Sequence, residues 1–359
     1  MKTNVRFQIP YFQFLDEHGV LADNIPVQIS NEIVREYFRV MSLTHAFDKK
    51  AIALQRTGRM GTYAPVEGQE AIGTALGLVM QPDDIFIPYY RDYACLFQRG
   101  AKLADILSYW GGDERGSLYS SNSHDFPLCV PIASQCQHAV GVGLALQYKN
   151  STQVAVVTIG DGGTSEGDFY EAINAAGVWN LPVVFVIINN QWAISVPRQA
   201  QTRSETLAQK AIAAGIEGIQ VDGNDIFALH HTLTQAINNA RGPQGRPCVI
   251  EAISYRLSDH TTADDATRYQ PQDEVQQARA LAPIKRLQKY ILDQNIMTQA
   301  DIAQCQDACR EEVDAAALEY LTRSAPPLNS MFDHHYASLP EYLIEQRATA
   351  LEELDHAHD

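Results

Sequence analysis

Two side chains with hard oxygen atoms follow two apolar runs of the chain. Asp161 and Asn190 lie 29 positions apart, and each comes shortly after a β-branched run, at residues 154–159 and 183–188. Residues 167–178, between the runs, carry apolar side chains at helical spacing. Strand, helix and strand predict one right-handed crossover of a parallel sheet. Both polar residues then lie at the carboxyl edge of that sheet, where open α/β sheets place their ligands.

The residues around Asp161 indicate what that edge would bind. Glycines precede and follow it, and we expect Ser165 and Asp168 to cap the helix that comes next. Free N–H groups at a helix start suit a phosphate, but the Asp161 carboxylate would repel one. A divalent cation resolves this conflict, because Asp161 and the Asn190 amide oxygen suit Mg²⁺ that phosphate oxygens also hold. The residues by themselves therefore predict a magnesium–diphosphate site.

Gly160-Asp161-Gly162, followed by Asn189-Asn190, resembles the thiamine diphosphate signature of decarboxylases, transketolases and 2-oxo acid dehydrogenases. Eight segments, these two included, are similar to the E1 α subunits of 2-oxo acid dehydrogenase complexes and follow in the same order. They are Gln55-Arg56-Thr57-Gly58-Arg59, Tyr63-Ala64-Pro65, Gly68-Gln69-Glu70-Ala71, Tyr90-Arg91-Asp92, 160–170, 189–197, Val221-Asp222-Gly223-Asn224-Asp225 and 255–269. The resemblance runs from about residue 30 to 345 and is strongest to the pyruvate-type chains of bacterial heterotetramers. One short glycine motif occurs by chance, but eight in order argue for the family.

The resemblance implies which residues bind the cofactor. The expected cofactor-binding residues are Tyr90, Arg91, Val130, Ile132, Asp161, Gly162, Gly163, Asn190, Trp192 and His260. Of these, Asp161, Asn190 and the backbone oxygen of Trp192 would be the protein ligands of Mg²⁺. Most arginines lie at protein surfaces, but the planar fork of Arg91 suits phosphate oxygens, so we expect it to contact the diphosphate.

Three further expectations rest on the same resemblance. Backbone groups at Val130 and Ile132 would hold the aminopyrimidine, and Ile132 would bend the cofactor into a V shape, although sequence context alone would place both in the core. His260 is the expected catalytic residue: it would reach the diphosphate end and assist transfer to lipoamide, a step suited to a group that titrates near neutrality. Ser134 and Gln135 resemble a potassium site.

The implied reaction is oxidative decarboxylation of a 2-oxo acid with thiamine diphosphate and Mg²⁺, followed by transfer of the acyl group to the lipoyl group of E2. The carboxylate that activates the aminopyrimidine has no candidate in this chain, and the resemblance places it on an E1 β subunit. We therefore expect an α₂β₂ heterotetramer whose site lies between α and β chains. Its partners would be E1 β, the lipoyl domain and core of E2, and a 2-oxo acid.

Pyruvate is the expected substrate, and three alternatives were weighed against it. A branched-chain 2-oxo acid dehydrogenase stays open, because much of the pocket would come from the partner. A cofactor-binding scaffold without catalytic activity is disfavoured by the presence of Asp161, Asn190, Arg91 and His260. A self-contained enzyme such as a transketolase is disfavoured by length, since 359 residues leave no room for a second cofactor-binding domain.

Composition excludes several classes of protein. The net charge of −16 and the pI of about 5.1 disfavour nucleic acids and anionic membranes as partners. No apolar run approaches the ~18 residues of a membrane span, and the first residues resemble neither a secretory signal nor a transit peptide. These features predict a cytoplasmic bacterial protein. The six cysteines form no Cys-x-x-Cys pair and are expected to be reduced packing residues.

Alternating apolar runs and helical patterns predict an α/β protein with a doubly wound, mostly parallel sheet, the thiamine diphosphate-binding fold. We expect an irregular arm at residues 1–30, the diphosphate-side domain at 31–275 and a helical C-terminal extension at 276–359. The helices predicted at 69–79 and 135–148 are rich in small residues, which suits close packing against a partner chain. The polar loop 256–275, which carries His260, is expected to be mobile until the cofactor binds.

Overall fold

The computed structural model describes residues 6–23, 25–119, 124–333 and 335–357. Its strands are β1 (Tyr11–Phe12), β2 (Ile85–Ile87), β3 (Ala155–Gly160), β4 (Val183–Asn189), β5 (Trp192–Ala193), β6 (Val196–Pro197), β7 (Glu217–Asp222) and β8 (Cys248–Ile253). Its helices are α1 (Asn31–Arg56), α2 (Glu70–Val79), α3 (Tyr93–Gln98), α4 (Leu103–Trp110), α5 (Ser134–Tyr148), α6 (Gly167–Trp179), α7 (Arg198–Gln201), α8 (Lys210–Ala213), α9 (Ile226–Arg241), α10 (Gln272–Ala280), α11 (Pro283–Asp293), α12 (Gln299–Thr322), α13 (Ser330–Asp333) and α14 (Glu341–Ala357).

The main sheet has six parallel strands in the order β1-β7-β8-β4-β3-β2. Its central strand β4 is buried along its whole length and pairs with β3 in a register that sets Val183 opposite Ala155. Alternate side chains of β4 join two different hydrophobic clusters, so both faces of the sheet are covered. This is the environment that continuous β-branched runs require, and the predicted doubly wound α/β fold is confirmed.

Helix α6 connects β3 to β4, as the residue pattern predicts, but it is capped differently. Its N-cap residue is Glu166, whose side chain makes no capping hydrogen bond, so the expected Ser165–Asp168 capping pair is wrong. Asp168 instead accepts a hydrogen bond from Gln137 Nε2 of the neighbouring helix at 2.9 Å. The Asp168 carboxylate thus bonds to a side chain of α5, a partner that the local sequence does not indicate.

The two helices rich in small residues lie in different environments. Gly73 of α2 faces α3, and a Cβ atom there would lie 3.2 Å from the Cβ atom of Ala94. The small residues of α2 thus serve packing inside the chain, and their expected role in a partner contact is wrong for this helix. Helix α5 differs, because Leu144 and Tyr148, one turn apart, are 44% and 87% exposed.

Strand β1 and helix α12, which flank the central domain in the sequence, both pack on it. Strand β1 of the N-terminal arm adds to the sheet edge beside β7. Helix α12 lies against α1, and Cys309 Sγ contacts the Arg39 carbonyl oxygen at 3.6 Å. All six cysteines lie in the described residues and none forms a disulfide, as expected. Within the described ranges, no helix is both long and apolar enough to cross a membrane.

Candidate functional site

A cavity of about 370 Å³ opens at the carboxyl ends of β3 and β4. All of the expected cofactor-binding residues lie in its wall except Val130, whose side chain is 47% exposed and stands between the lining residues Cys129 and Pro131. Ligand pockets usually measure ~300–1,000 Å³. The cavity therefore suits a small-molecule cofactor, and the fold brings residues from distant segments of the chain to one place.

The Asp161 carboxylate is buried at the end of β3 and faces this cavity. Gln201 Nε2 donates a hydrogen bond to its Oδ2 at 3.1 Å. Burial raises the pKa of the Asp161 carboxyl to about 6, because the Gln201 amide and nearby backbone groups offset only part of the desolvation. A buried carboxylate is costly unless a cation pairs with it or a metal binds it. The position thus has the character of a cation ligand.

The Asn190 side chain, just after β4, is oriented by two neighbours. Its Nδ2 donates to Gln69 Oε1 at 3.0 Å, and its Oδ1 accepts the Trp192 N–H at 3.2 Å. Because an amide oxygen has two acceptor positions, Oδ1 keeps one for a further ligand. Gln69 was not among the expected site residues, although the Gly68–Ala71 motif had already drawn attention to it. Its amide determines which way the Asn190 oxygen points.

A 3₁₀ turn at Gly162–Ser165 forms the floor of the cavity. A Cβ atom at Gly162 would lie 2.6 Å from the Ala193 Cβ atom, and one at Gly163 would lie 2.7 Å from Ile159 Cγ1. Glycine is therefore needed at both positions for the turn to approach its surroundings. Buried Lys210 holds the turn from behind, because its Nζ donates to the Thr164 carbonyl oxygen at 2.6 Å.

Arg91 and His260 meet at one side of the cavity. Arg91 Nη2 donates to the His260 carbonyl oxygen at 2.6 Å and lies 3.1 Å from His260 Nδ1. Burial, together with the positive charges of Arg91 and Arg256, lowers the pKa of His260 to about 3, so the imidazole is neutral at pH 7. The Arg91 guanidinium also lies over the Tyr90 ring, 5.1 Å from its centroid. The expected diphosphate-binding arginine and catalytic histidine are thus coupled directly.

Arg256 connects the His260 loop to the β5–β6 hairpin and was not expected from the sequence. Its guanidinium is buried and donates to the carbonyl oxygens of Trp192 at 3.4 Å and Ile194 at 2.9 Å. It also donates to the Tyr269 hydroxyl at 2.7 Å. The only sequence signal was an arginine three residues after the apolar strand β8. The backbone oxygens that the buried guanidinium binds cannot be recognised from the sequence.

The start of α5 forms another part of the wall. Ile132 lines the cavity opposite the glycine turn, since a Cβ atom at Gly163 would lie 3.3 Å from Ile132 Cγ2. Gln135 Nε2 donates to the Thr158 carbonyl oxygen at 3.0 Å, while its buried Oε1 has no hydrogen-bond partner among the described residues. Ser134 Oγ donates to the Pro131 carbonyl oxygen at 3.0 Å. Ser134 and Gln135 are therefore adjacent in sequence but engage different backbone segments.

Comparison with known proteins identifies the family of this chain. The family model described as "Dehydrogenase E1 component" matches residues 38–326. Proteins named "Pyruvate dehydrogenase E1 component subunit alpha" include one of Mycoplasma genitalium, 36% identical over 94% of this chain and 95% of that protein, and one of Staphylococcus epidermidis, 35% identical over 96% and 93%. A "3-methyl-2-oxobutanoate dehydrogenase subunit alpha" of Mycobacterium tuberculosis is 40% identical over 76% of this chain and 74% of its own. The chain belongs to the dehydrogenase E1 component family.

Proposed function

We propose that this chain is the α subunit of a pyruvate dehydrogenase E1 component and holds the diphosphate end of thiamine diphosphate through Mg²⁺. The E1 dehydrogenase family depends on thiamine diphosphate, which supplies an electron sink for decarboxylation when bound. The reaction is oxidative decarboxylation of pyruvate with reductive acetylation of the lipoyl group of E2. The observation that carries the proposal is the buried Asp161 carboxylate near the free acceptor position of Asn190, in a cavity that also presents Arg91.

The oxygen atoms at the cavity floor suit Mg²⁺ that is shared with a phosphate. Asp161, the Asn190 amide and the Trp192 carbonyl would supply three hard oxygen ligands. Among the described residues, no group of three or more His, Cys, Asp or Glu side chains could hold a metal alone. A site of this kind is incomplete without phosphate oxygens and water, as Mg²⁺ sites commonly are. The free Gln135 oxygen suits a potassium ion, with Ser134 as its neighbour.

Positive charge for the diphosphate comes from Arg91, in a chain that is acidic overall. Its guanidinium is buried in the wall of the cavity, where low dielectric strengthens its attraction for an anion. Tyr90 lies beside it, and the close approach of the Gly162–Ser165 turn lets backbone groups reach a ligand. The proposed diphosphate site thus combines one metal, one arginine and one glycine turn.

His260 is proposed to act next to the diphosphate end. In the structure it is neutral and can accept a proton only if negative charge arrives near Arg91 and Arg256. Bound diphosphate would supply that charge, so cofactor binding would raise the pKa of the imidazole toward neutrality. A histidine that titrates near pH 7 can assist proton transfer during reductive acetylation.

The rest of the site is proposed to come from an E1 β subunit in an α₂β₂ heterotetramer, which E2 then contacts. The acidic residues in the cavity wall are Asp161, assigned to the metal, and Glu166 at the start of α6. Neither suits the carboxylate that the aminopyrimidine needs. Apolar Ile132, Ile194 and Val196 line the cavity yet stand exposed in the single chain, which suits coverage by a partner.

The domain division that follows from this proposal assigns residues 31–275 to the diphosphate side of the site. Residues 1–30 form an arm, and residues 276–359 form the helical extension. In support, every residue that lines the cavity lies between Tyr89 and His260. Deleting residues 330–359 should therefore leave the metal and diphosphate contacts intact, whereas any cut within residues 89–260 should remove them.

The substrate is tested by kinetics of the enzyme reconstituted from α and β chains. We expect the highest kcat/KM with pyruvate in a dye-reduction assay, compared with 3-methyl-2-oxobutanoate and 4-methyl-2-oxopentanoate. Selectivity by one or two methylenes amounts to ~10–200-fold, so minor activity on branched acids is compatible with the proposal. The branched-chain alternative, favoured by 40% identity to the mycobacterial protein, stands if a branched acid is preferred by tenfold or more.

The divided site has its own test. The isolated α chain should turn over none of the three acids, since half of the cofactor site is missing. Substantial decarboxylation without a β chain would contradict the proposal. If the α–β complex binds Mg²⁺ and cofactor but turns over no 2-oxo acid, the chain is instead a cofactor-binding scaffold.

A further inference from the structure

A buried carboxylate behind the cavity is not used by the proposed chemistry. Asp48 of α1 is 1% exposed, and its two oxygen atoms face the same short segment of chain. Oδ1 accepts the Tyr63 hydroxyl at 2.5 Å, and Oδ2 accepts the Val66 N–H at 2.8 Å. The carboxylate therefore holds both ends of the segment 63–66.

That segment touches the proposed site through its backbone. Tyr63 exchanges two hydrogen bonds with Thr262 of the His260 loop: the Tyr63 N–H donates to Oγ1 at 3.0 Å, and the Tyr63 carbonyl oxygen accepts the Thr262 N–H at 2.8 Å. The Pro65 carbonyl oxygen accepts a hydrogen bond from Arg91 Nη1. The segment is thus the common support of Arg91 and of the loop that carries His260.

We infer that Asp48 is a positioning residue, which acts through the segment 63–66 to hold Arg91 and the His260 loop in place. The inference rests on the proposed function in so far as it concerns those two residues. Asp48 lies behind the segment and is not among the residues that line the cavity. Its effect should appear in the order of the loop, and the metal ligands at the ends of β3 and β4 should be unaffected.

Burial of the Asp48 carboxyl group destabilises the fold, which argues that its two hydrogen bonds have a role. Burial raises the pKa of its carboxyl to about 7, even though Tyr63 and Val66 donate to it. An apolar side chain would fill the same space at lower cost, because buried charged groups seldom add net stability. What an apolar residue would not do is fix the hydroxyl of Tyr63 and the N–H of Val66 at the same time.

The test is hydrogen exchange in the reconstituted α–β complex with Mg²⁺ and thiamine diphosphate. Asp48→Asn keeps the shape but presents one N–H₂ group to a donor, so one of the two hydrogen bonds is lost. We expect about tenfold faster exchange at the amides of His260 and Thr262, because an unmade buried hydrogen bond costs ~1–3 kcal/mol. The rate of lipoyl acetylation should fall more than the rate of decarboxylation, and the Kd for the cofactor should rise, because the same segment also holds Arg91.

Two more variants keep the result decisive. Tyr63→Phe removes only the hydroxyl donor and serves if Asp48→Asn does not assemble. Asp105→Asn is the matched control, since this buried carboxylate pairs with Arg323 at 2.8 Å, away from the segment 63–66. Unchanged exchange at His260 and Thr262 in a folded Asp48→Asn or Tyr63→Phe complex overturns the inference, as does equal acceleration in the control. Hydrogen exchange does not depend on turnover, so this test still gives an answer if the proposed function is wrong.

Discussion

The inner and outer walls of the cavity differ in polarity and in exposure to solvent. The inner wall, formed by Asp161, Asn190 and Arg91, is polar, buried and held by hydrogen bonds within the chain. The outer wall is apolar, and Ile132 and Ile194 stand exposed there. The polar groups of the inner wall are thus positioned by contacts within the chain, whereas the apolar side chains of the outer wall stand exposed in the single chain.

Loss of an inner-wall ligand should have the largest effect. Asn190→Ala removes one oxygen from the proposed metal site and leaves Asp161 facing the diphosphate. We expect the affinity for thiamine diphosphate in the presence of Mg²⁺ to fall by at least about 100-fold, since even outer-shell partners of metals cost ~10–100-fold. Titration calorimetry measures this, with Asn174→Ala on the exposed face of α6 as the control. Unchanged affinity in the Asn190 variant would sink the metal assignment.

The inner wall should also cost stability when it is empty. The pKa of Asp161 is raised to about 6 in the fold, above its ordinary value of 3.8, so the ionised carboxylate destabilises the fold. That penalty is absent below pH 3.8, grows as the pH rises to 6 and is then constant. Asp161→Asn should therefore stabilise the cofactor-free chain at pH 7 by roughly 3 kcal/mol at most, at 1.36 kcal/mol per pKa unit.

Denaturant unfolding without metal at pH 7 and at pH 4 measures the Asp161 effect. The stability gained by the variant should be present at pH 7 and nearly absent at pH 4. With Mg²⁺ and thiamine diphosphate added, the wild-type chain should become the more stable of the two proteins, since only it then gains binding energy. A variant that is less stable than wild type at pH 7 without ligands would contradict the description of Asp161 as a buried charge that destabilises the fold.

The exposed face of α5, the helix that begins beside the outer wall, leads to a different prediction. Charges introduced at Leu144 and Tyr148 on the exposed face of α5 (Leu144→Lys with Tyr148→Lys) should weaken assembly with the β chain about tenfold or more, because an interface core rejects unpaired charge. The stability of the isolated chain should change by less than ~0.5 kcal/mol. Light scattering after gel filtration reports the assembly. Val20→Lys, an equally polar change at an exposed arm position, is the control, and equal assembly in all three proteins would contradict a partner at α5.

The smallest effect is expected at His260, which lies beside Arg91 of the inner wall. Its pKa is lowered to about 3 by burial and then by Arg91 and Arg256. Bound diphosphate should offset the two arginines and raise this pKa from about 3 toward neutrality, since an opposite charge nearby favours the charged form. An NMR titration of labelled histidine, assigned with His260→Gln, measures the value with and without Mg²⁺ and thiamine diphosphate. An identical pKa of His260 in both states would contradict its proposed position next to the diphosphate.

Some of the fold and site followed from local patterns alone. Continuous β-branched runs identify β3 and β4, because a strand buried on both faces tolerates little else. The polar residues at their ends then had to share one edge, which is why Asp161 and Asn190 were expected together. Gln69, Arg256 and Lys210 were missed, because each acts by hydrogen bonds to residues far away in the chain.

The sequence by itself determined a strand–helix–strand unit with an acid and an amide at its carboxyl edge, and the glycines that let a turn come close. Tertiary structure alone decided which small-residue helix is internal and which stays exposed, since α2 and α5 have similar compositions but different neighbours. It also decided that Asp168 binds Gln137 and that Asp48 accepts hydrogen bonds from Tyr63 and Val66. The physical reason is the same in each case. The spacing of apolar residues along a helix or strand shows which face of that element is buried, but only the packed structure shows which residues that face contacts.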